Sequence, residues 1–415
     1  MISRHFWRLR AFLRRIWVRV TLFAVLAVAS VALARVLSPL LPDWVADQVG
    51  TRAVDGILQL LATSMLAVTT FSLSIAVSAF AAAAQFATPR ATALLQQDPT
   101  TQNVLATFLG AFLFSLLGLI ALDADLYDPS GRVVLFFATL AVTGLVIIAL
   151  IRWIEHLMSF GRMGNTLDRV EAATRDALAH WRKEPHLGGY PFKGPVPAGG
   201  IRIDAPRSGY VQHIDMALLD SQAERCGVEV VVGARPGGFI AKGARLATVR
   251  GDVGDTAPLL GMANAFAIGQ ERDFEGDPRF GLIVLSEIAS RALSPAVNDP
   301  GTAISVLGRM VRLLTDWPDH NASAICFRHV HVPEISAHDL LVDAFRPIAR
   351  DGAGIVEVQI RLQKALLALH NADPETFSAA AAPVAHAALH RAEHAGLLED
   401  EVAALRGIAQ WSGAG

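Results

Sequence analysis

Four long apolar runs, at about 16–37, 54–84, 103–122 and 133–154, dominate the first 155 residues and constrain the fold more than any other feature. Each is near or above the ~20 residues with which a helix crosses a hydrocarbon core. Backbone polar groups in lipid must be satisfied within the segment, so such runs are read as transmembrane helices. The rest of the chain is different in kind. The whole sequence is 53% hydrophobic and 18% charged, too apolar for one soluble protein and too charged to lie wholly in lipid. It therefore divides into a membrane domain at 1–155 and a more polar remainder. The net charge of −2 argues against whole-chain binding to nucleic acid, and two cysteines, Cys226 and Cys326, suit a reducing compartment.

Charge sets the orientation. The first twenty residues carry Arg4, Arg8, Arg10, Arg14, Arg15 and Arg19 with no acid among them, which keeps that flank in the cytosol. Asp43, Asp47 and Asp55 between runs one and two, and Asp123, Asp125 and Asp128 between runs three and four, mark the outside. Arg152, Arg162 and Arg169 return the chain to the inside, so both termini are expected in the cytosol. Run one also ends in Ala32-Leu33-Ala34, as a signal peptide does, but three further spans would hold the chain in the membrane after cleavage.

Span two departs from a plain lipid-facing helix. At ~100° per residue, Asp55, Gln59, Thr63, Thr70, Ser74, Ser78 and Gln85 fall in an arc of roughly 140°. Two readings stay open: hydroxyls that serve helix packing, and a water-lined path with Gln59, Thr63, Thr70, Ser74 and Ser78 as pore-lining candidates. No span centre carries an ionisable group, which argues against a proton relay or a charge-coupled transporter. Span three presents Thr107, Gly110, Ala111, Phe114 and Gly118 on one side, small residues that admit a close neighbour. The link at 86–100 contains Pro89 and Pro99 and is read as a cytosolic turn.

A helical connector and a Pro/Gly linker follow at 156–200, then a β-rich module at 201–252 and a mainly helical cytosolic domain at 253–415. The pieces at 204–211 and 236–246 resemble the two turn-and-strand halves of a barrel-sandwich hybrid, the fold of biotinyl and lipoyl carriers. Lys242 stands in a turn before a strand and not at a hairpin tip between methionines, so no covalently attached cofactor is expected. In the helical domain Glu287 and Arg291 are spaced for an i,i+4 pair, and Asp299 before Pro300 is a strong helix start.

Three segments together resemble a known family: Ala292-Leu293-Ser294-Pro295-Ala296-Val297-Asn298-Asp299-Pro300, Gln85-Phe86-Ala87-Thr88-Pro89-Arg90, and Ser208-Gly209-Tyr210-Val211 followed by Ile214-Asp215. The chain is similar, over nearly its whole length, to domain of unknown function 2254, a set of uncharacterised predicted inner-membrane proteins of bacteria. The resemblance implies four spans, a cytosolic C-terminal region and a bacterial inner membrane. It supplies no activity.

Catalytic signals are weak. His390-Arg391-Ala392-Glu393-His394 fits H-x-x-E-H, which on a helix puts both histidines on one face, yet a catalytic zinc needs a third protein ligand from elsewhere. His329 and His331 alternate on an expected strand, where a hydrogen-bonded polar edge is the commoner outcome than a metal. The charged loop at 270–277, with Arg272 and Asp273, is a solvated loop or meets Asn298 and Asp299 to form a ligand or subunit-contact site. Nucleotide-loop, serine-hydrolase and Cys-x-x-Cys motifs are absent.

The expectation is an α-helical four-span membrane domain followed by a cytosolic α+β region, in the bacterial inner membrane, with the lipid bilayer and further copies of itself as partners and without a cofactor. The leading functional expectation is an oligomeric channel or pore component, not an enzyme, with a non-conducting scaffold or sensor and a membrane-tethered metalloenzyme as alternatives.

Overall fold

The computed structural model describes residues 16–37, 51–86, 88–96, 98–127, 129–159, 163–194, 199–253, 257–317 and 325–413. The basic flank from Arg4 to Arg15, the loop acids Asp43, Asp47 and Asp128, and Arg162 lie outside them. Two compact units result, Met1–Gln85 with Thr92–Asn165, and Phe86–Ala91 with Thr166–Gly415.

The first unit is helical: α1 (Ile16–Leu37), α2 (Thr51–Phe86), α3 (Pro89–Gln96), whose first residues belong to the second unit, α4 (Pro99–Asp123) and α5 (Pro129–Ser159). Three stretches, Val54–Ala84, Pro99–Asp123 and Gly131–Met158, are long and apolar enough to cross a membrane; α1 contributes the shorter apolar segment Val20–Ala29. Helix α4 is the central one, with 56% of its apolar window buried against 22% for α2 and 28% for α5. The small residues expected to admit a neighbour do so. A Cβ on Gly110 would stand 2.4 Å from the Phe23 ring of α1, and one on Gly118 would meet Leu58 of α2 at 3.3 Å and Leu135 of α5 at 3.8 Å. Phe108, Phe114, Leu58 and Leu135 fill the space between these helices.

The link at 86–100 is not a turn, because its prolines start helices. Pro89 opens the eight-residue α3 behind Thr88, whose hydroxyl accepts from the Ala91 N–H at 3.4 Å. Pro99 opens α4 behind Asp98, which accepts from the Thr101 N–H at 2.8 Å. Proline's missing N–H costs nothing in a first turn, and its fixed φ suits the helix. Span three accordingly begins ahead of its expected residue 103.

Beyond residues 86–91, the second unit takes up the chain at Thr166 within α6 (Met163–Lys183) and continues through β1 (Gly189–Phe192), β2 (Ile201–Asp204), β3 (Gly209–Ile214), α7 (Met216–Cys226), β4 (Glu229–Val232), β5 (Phe239–Ile240), β6 (Arg245–Arg250), α8 (Ala257–Asn264) and β7 (Phe266–Gly269). Then come α9 (Pro278–Ala292), α10 (Pro300–Thr315), β8 (Phe327–Pro333), α11 (Ala337–Asp351), α12 (Val356–Ala372), α13 (Pro374–Glu393) and α14 (Glu399–Ala409). Strands form a five-stranded sheet, β1-β8-β4-β6-β2, and a three-stranded one, β5-β3-β7. Ile203, Val211, Val230, Leu246, Ile268 and Val330 close one core between them.

The sheets are not confined to 201–252. They take in β1 from the expected linker, and β7 and β8 from the expected helical domain. Strand β8 runs parallel to both β4 and β1, with Val231 opposite His331 and Tyr190 opposite His331. Parallel pairing requires a long crossover, and here the helices between β4 and β8 supply it. Helices α9 to α14 bury a second core in which Phe345 and Phe377 are fully enclosed.

Candidate functional site

Helix α2 has two unlike faces. Val54, Leu58, Leu61, Met65, Ser72, Ala76 and Ala83 are buried against the first unit's core. On the opposite side Gln59, Thr63, Thr70, Ser74 and Ser78 are all exposed, with Asp55 half-buried. The stripe lies on the face turned away from the first unit's core. Three of its hydroxyls bond back to their own helix: Thr63 donates to the Gln59 carbonyl at 2.8 Å, Thr70 to Ala67 at 2.9 Å and Ser74 to Thr70 at 3.0 Å, while the Gln59 amide donates to Asp55 at 3.2 Å. Leu66 and Val77 share the arc, so the face alternates hydroxyls with aliphatic groups. Ser64 and Thr69, off the stripe, bond back in the same way, to Leu60 and Met65 at 2.6 Å each.

An ionisable pair missing from the sequence reading sits at the start of α4. The Asp98 carboxylate, 3% exposed, lies 2.9 Å from Nε2 of His156 on the last turn of α5, and the Thr101 hydroxyl donates to the same carboxylate at 2.6 Å. Asp98 thus caps α4 and ties it to α5. The local signal, Asp before Pro with Thr two residues on, was legible as a cap; the histidine partner was not.

In the second unit, charge is gathered at two buried points. Glu171 of α6 accepts from Arg309 at 2.5 Å, from Arg312 through two nitrogens at 3.0 and 2.9 Å, and from Arg175 at 2.9 Å. Burial alone would raise its carboxyl, but hydrogen bonds and charge from Arg312 and Arg309 outweigh it and hold the group below the ordinary value. The second point is Asp277, the N-cap of α9. Arg272 grips it through Nε at 2.7 Å and lies over the Phe280 ring at 5.0 Å. Burial pushes the Asp277 carboxyl up against the opposing pull of Arg272. Gly237 makes this possible: at φ 86° it comes so close that a Cβ there would overlap the Asp277 carboxylate.

Arg272 and Asp273 are therefore engaged locally. The Asp273 carboxylate accepts from the Glu275 N–H at 3.1 Å and is raised by burial. Among the described residues no hydrogen bond or ion pair joins Arg272 or Asp273 to Asn298 or Asp299. Those two build the corner between α9 and α10. Asn298 adopts a left-handed φ of 49°, the Asp299 N–H returns to the Ala292 carbonyl at 2.8 Å, and both Asp299 oxygens are taken by the N–H and hydroxyl of Thr302, at 3.0 and 2.6 Å. Glu287 does not make its expected pair with Arg291 but ion-pairs with Arg90, which residues 86–91 bring into this unit.

The histidines go to separate partners. His329 meets Asp220 at 3.3 Å, and His331 meets Glu229 at 3.4 Å while stacking on Tyr190. The His390 and His394 rings lie 4.4 Å apart, but His394 is already past the end of α13 and Glu393 turns to Arg406 at 2.7 Å. Among the described residues no group of three or more His, Cys, Asp or Glu side chains is placed to hold a metal ion. Burial lowers the ring pKa of His186 and of His213.

Residues 14–368 match the model of a family described as "Predicted membrane protein (DUF2254)". The chain is similar to uncharacterized proteins of Mycobacterium tuberculosis (strain H37Rv) and Mycobacterium bovis, at 30% identity over 223 residues, 51% of this chain and 42% of each relative. The match thus spans less than half the length of those relatives. No solved structure matches.

Proposed function

The chain belongs to the predicted membrane protein family DUF2254, and from that premise we propose that it is one protomer of an oligomeric channel whose second unit assembles or gates it. The carrying observation is the exposed polar face of α2, opposite the face that packs. A row of Gln, Thr and Ser side chains gains little from lipid, and three or four spans are too few to enclose a path within one chain. Several copies, each turning this face to a common axis, would wet it. In this reading α1 is a fourth span, the chain sits in the bacterial inner membrane with both termini in the cytosol, and the β module is a barrel-sandwich hybrid. Support for the last comes from the reciprocal bonding of its halves, Ala205 N–H to the Ala244 carbonyl at 2.8 Å and Gly243 N–H to the Ala205 carbonyl at 2.9 Å.

Reconstitution tests it. Purified protein in liposomes is expected to pass small ions, and Thr70→Leu or Ser74→Leu to reduce that flux while Leu73→Ile does not. Absence of flux for every ion tried would leave a non-conducting scaffold or sensor. Reporter fusions at Gly200 should be cytosolic.

A further inference from the structure

A groove of about 550 Å³ runs between α9, α11 and α13, floored by Ile283, Val342 and Pro347 and edged by Arg346, Arg350 and Arg391. Its volume is in the range of small-molecule sites. What sets it apart is the state of its charges. Two carboxylates also line it, but each is held by an arginine outside the lining: Glu287 by Arg90, and Asp343 by Arg279 at 2.6 Å. Arg350 is gripped through two nitrogens by Asp351, at 2.6 and 2.9 Å. Arg391 spends one nitrogen on the Ala387 carbonyl of its own helix at 3.2 Å. Among the described residues no carboxylate pairs with Arg346 or Arg391.

Two guanidiniums from different helices thus border an apolar floor with their charge unmatched. By contrast the arginines at Glu171 and at Asp277 are each answered by a buried carboxylate. A planar guanidinium fork suits oxyanions, and a phosphomonoester carries about −1.5 to −2 charge at neutral pH, which matches two unpaired arginines. We propose that this groove binds an organic phosphate, its phosphoryl group held between Arg346 and Arg391 with Arg350 at the edge, and its apolar part on Ile283, Val342 and Pro347. The phosphoryl group comes either from a soluble metabolite-sized phosphate or from the headgroup of a lipid such as phosphatidic acid. The site stands independently of the channel reading, because binding is read without flux.

The test uses the full chain in phosphatidylcholine nanodiscs with a fluorescent coumarin phosphate as probe, followed by anisotropy. Saturable binding at one probe per chain is expected, weakening as salt rises. Arg346→Gln with Arg391→Gln should weaken it about tenfold or more, Arg346→Lys should fall between, and Arg225→Gln on the exposed face of α7 should change nothing. Thermal unfolding of each variant should stay near that of the parent, since Arg346 is exposed and Arg391, half-buried, bonds among the described residues only to its own helix. Displacement of the probe by nanodiscs containing phosphatidic acid assigns the lipid source; displacement only by free phenyl phosphate assigns the soluble one. Failure of the parent to saturate, or parent-like binding by the double variant, overturns the proposal.

Discussion

The two units treat polar groups in opposite ways. On α2 the hydroxyls of Thr63, Thr70 and Ser74 bond to carbonyls one turn back on the same helix, so they need no neighbour and fix no packing. In the second unit Glu171 and Asp343 draw arginines from distant parts of the chain, and each pairing holds elements together. A hydroxyl satisfied within its own helix is cheap anywhere, whereas a buried carboxylate is tolerable only with its partners in place. Polar side chains that build nothing inside the chain are therefore the ones available to face water or another copy.

The largest expected effect follows from breaking the buried charge. Glu171→Ala removes the buried carboxylate that Arg309 and Arg312 share and leaves Arg309, itself 13% exposed, with the exposed Asp168 alone. It should lower the stability of the second unit by about 3 kcal/mol, read as a loss of its denaturation midpoint in detergent. By contrast Ser74→Ala should change unfolding by no more than about 0.5 kcal/mol. Next comes Gly110→Leu, which must displace Phe23 and should destabilise the first unit by about 1–3 kcal/mol, seen as earlier thermal aggregation in detergent.

Asp299→Ala should cost about 1 kcal/mol through the lost cap, and Asp299→Ser should restore most of it. If Asp299→Ser unfolds like the parent yet loses flux, the corner does more than start a helix. The smallest effect concerns pH. His186 and His213 are held below the ordinary 6.5 by burial, so the unfolded chain binds protons first. Their stabilising contribution is full above pH 6.5 and is lost as the pH falls below it. Thermal unfolding followed from about pH 8 to about pH 5 should show a decline that His213→Asn flattens. Glu171, with a lowered pKa, adds its own loss only as the pH drops below 4.5.

What was legible in the sequence was local. Three of the four apolar runs at span length, the small face around Gly110 and Gly118, and the cap Asp299-Pro300 reappear. Pro89 and Pro99 were misread because proline both ends and starts helices, and only the capping oxygen just before it decides which. The rest is non-local. Arg309 reaches Glu171 across 138 positions and Arg279 reaches Asp343 across 64, and no spacing rule announces either. Parallel pairing of β8 with β1 and β4 is hidden for the same reason. The stripe on α2 was visible as a pattern, but its outward direction depends on which face the other helices cover.

The central claim is that this outward face meets water in the assembled protein. With Cys226 and Cys326 replaced by serine, single cysteines at Thr70, Ser74 and Ser78 would be compared with cysteines at Leu140 and Ile147, which are exposed on α5. A charged, water-soluble thiol reagent is applied to protein in liposomes while ion flux is followed. The account predicts modification at the three α2 positions with loss of flux, and no modification at Leu140 or Ile147. Equal inertness at all five positions would place the face in lipid or against protein and contradict it.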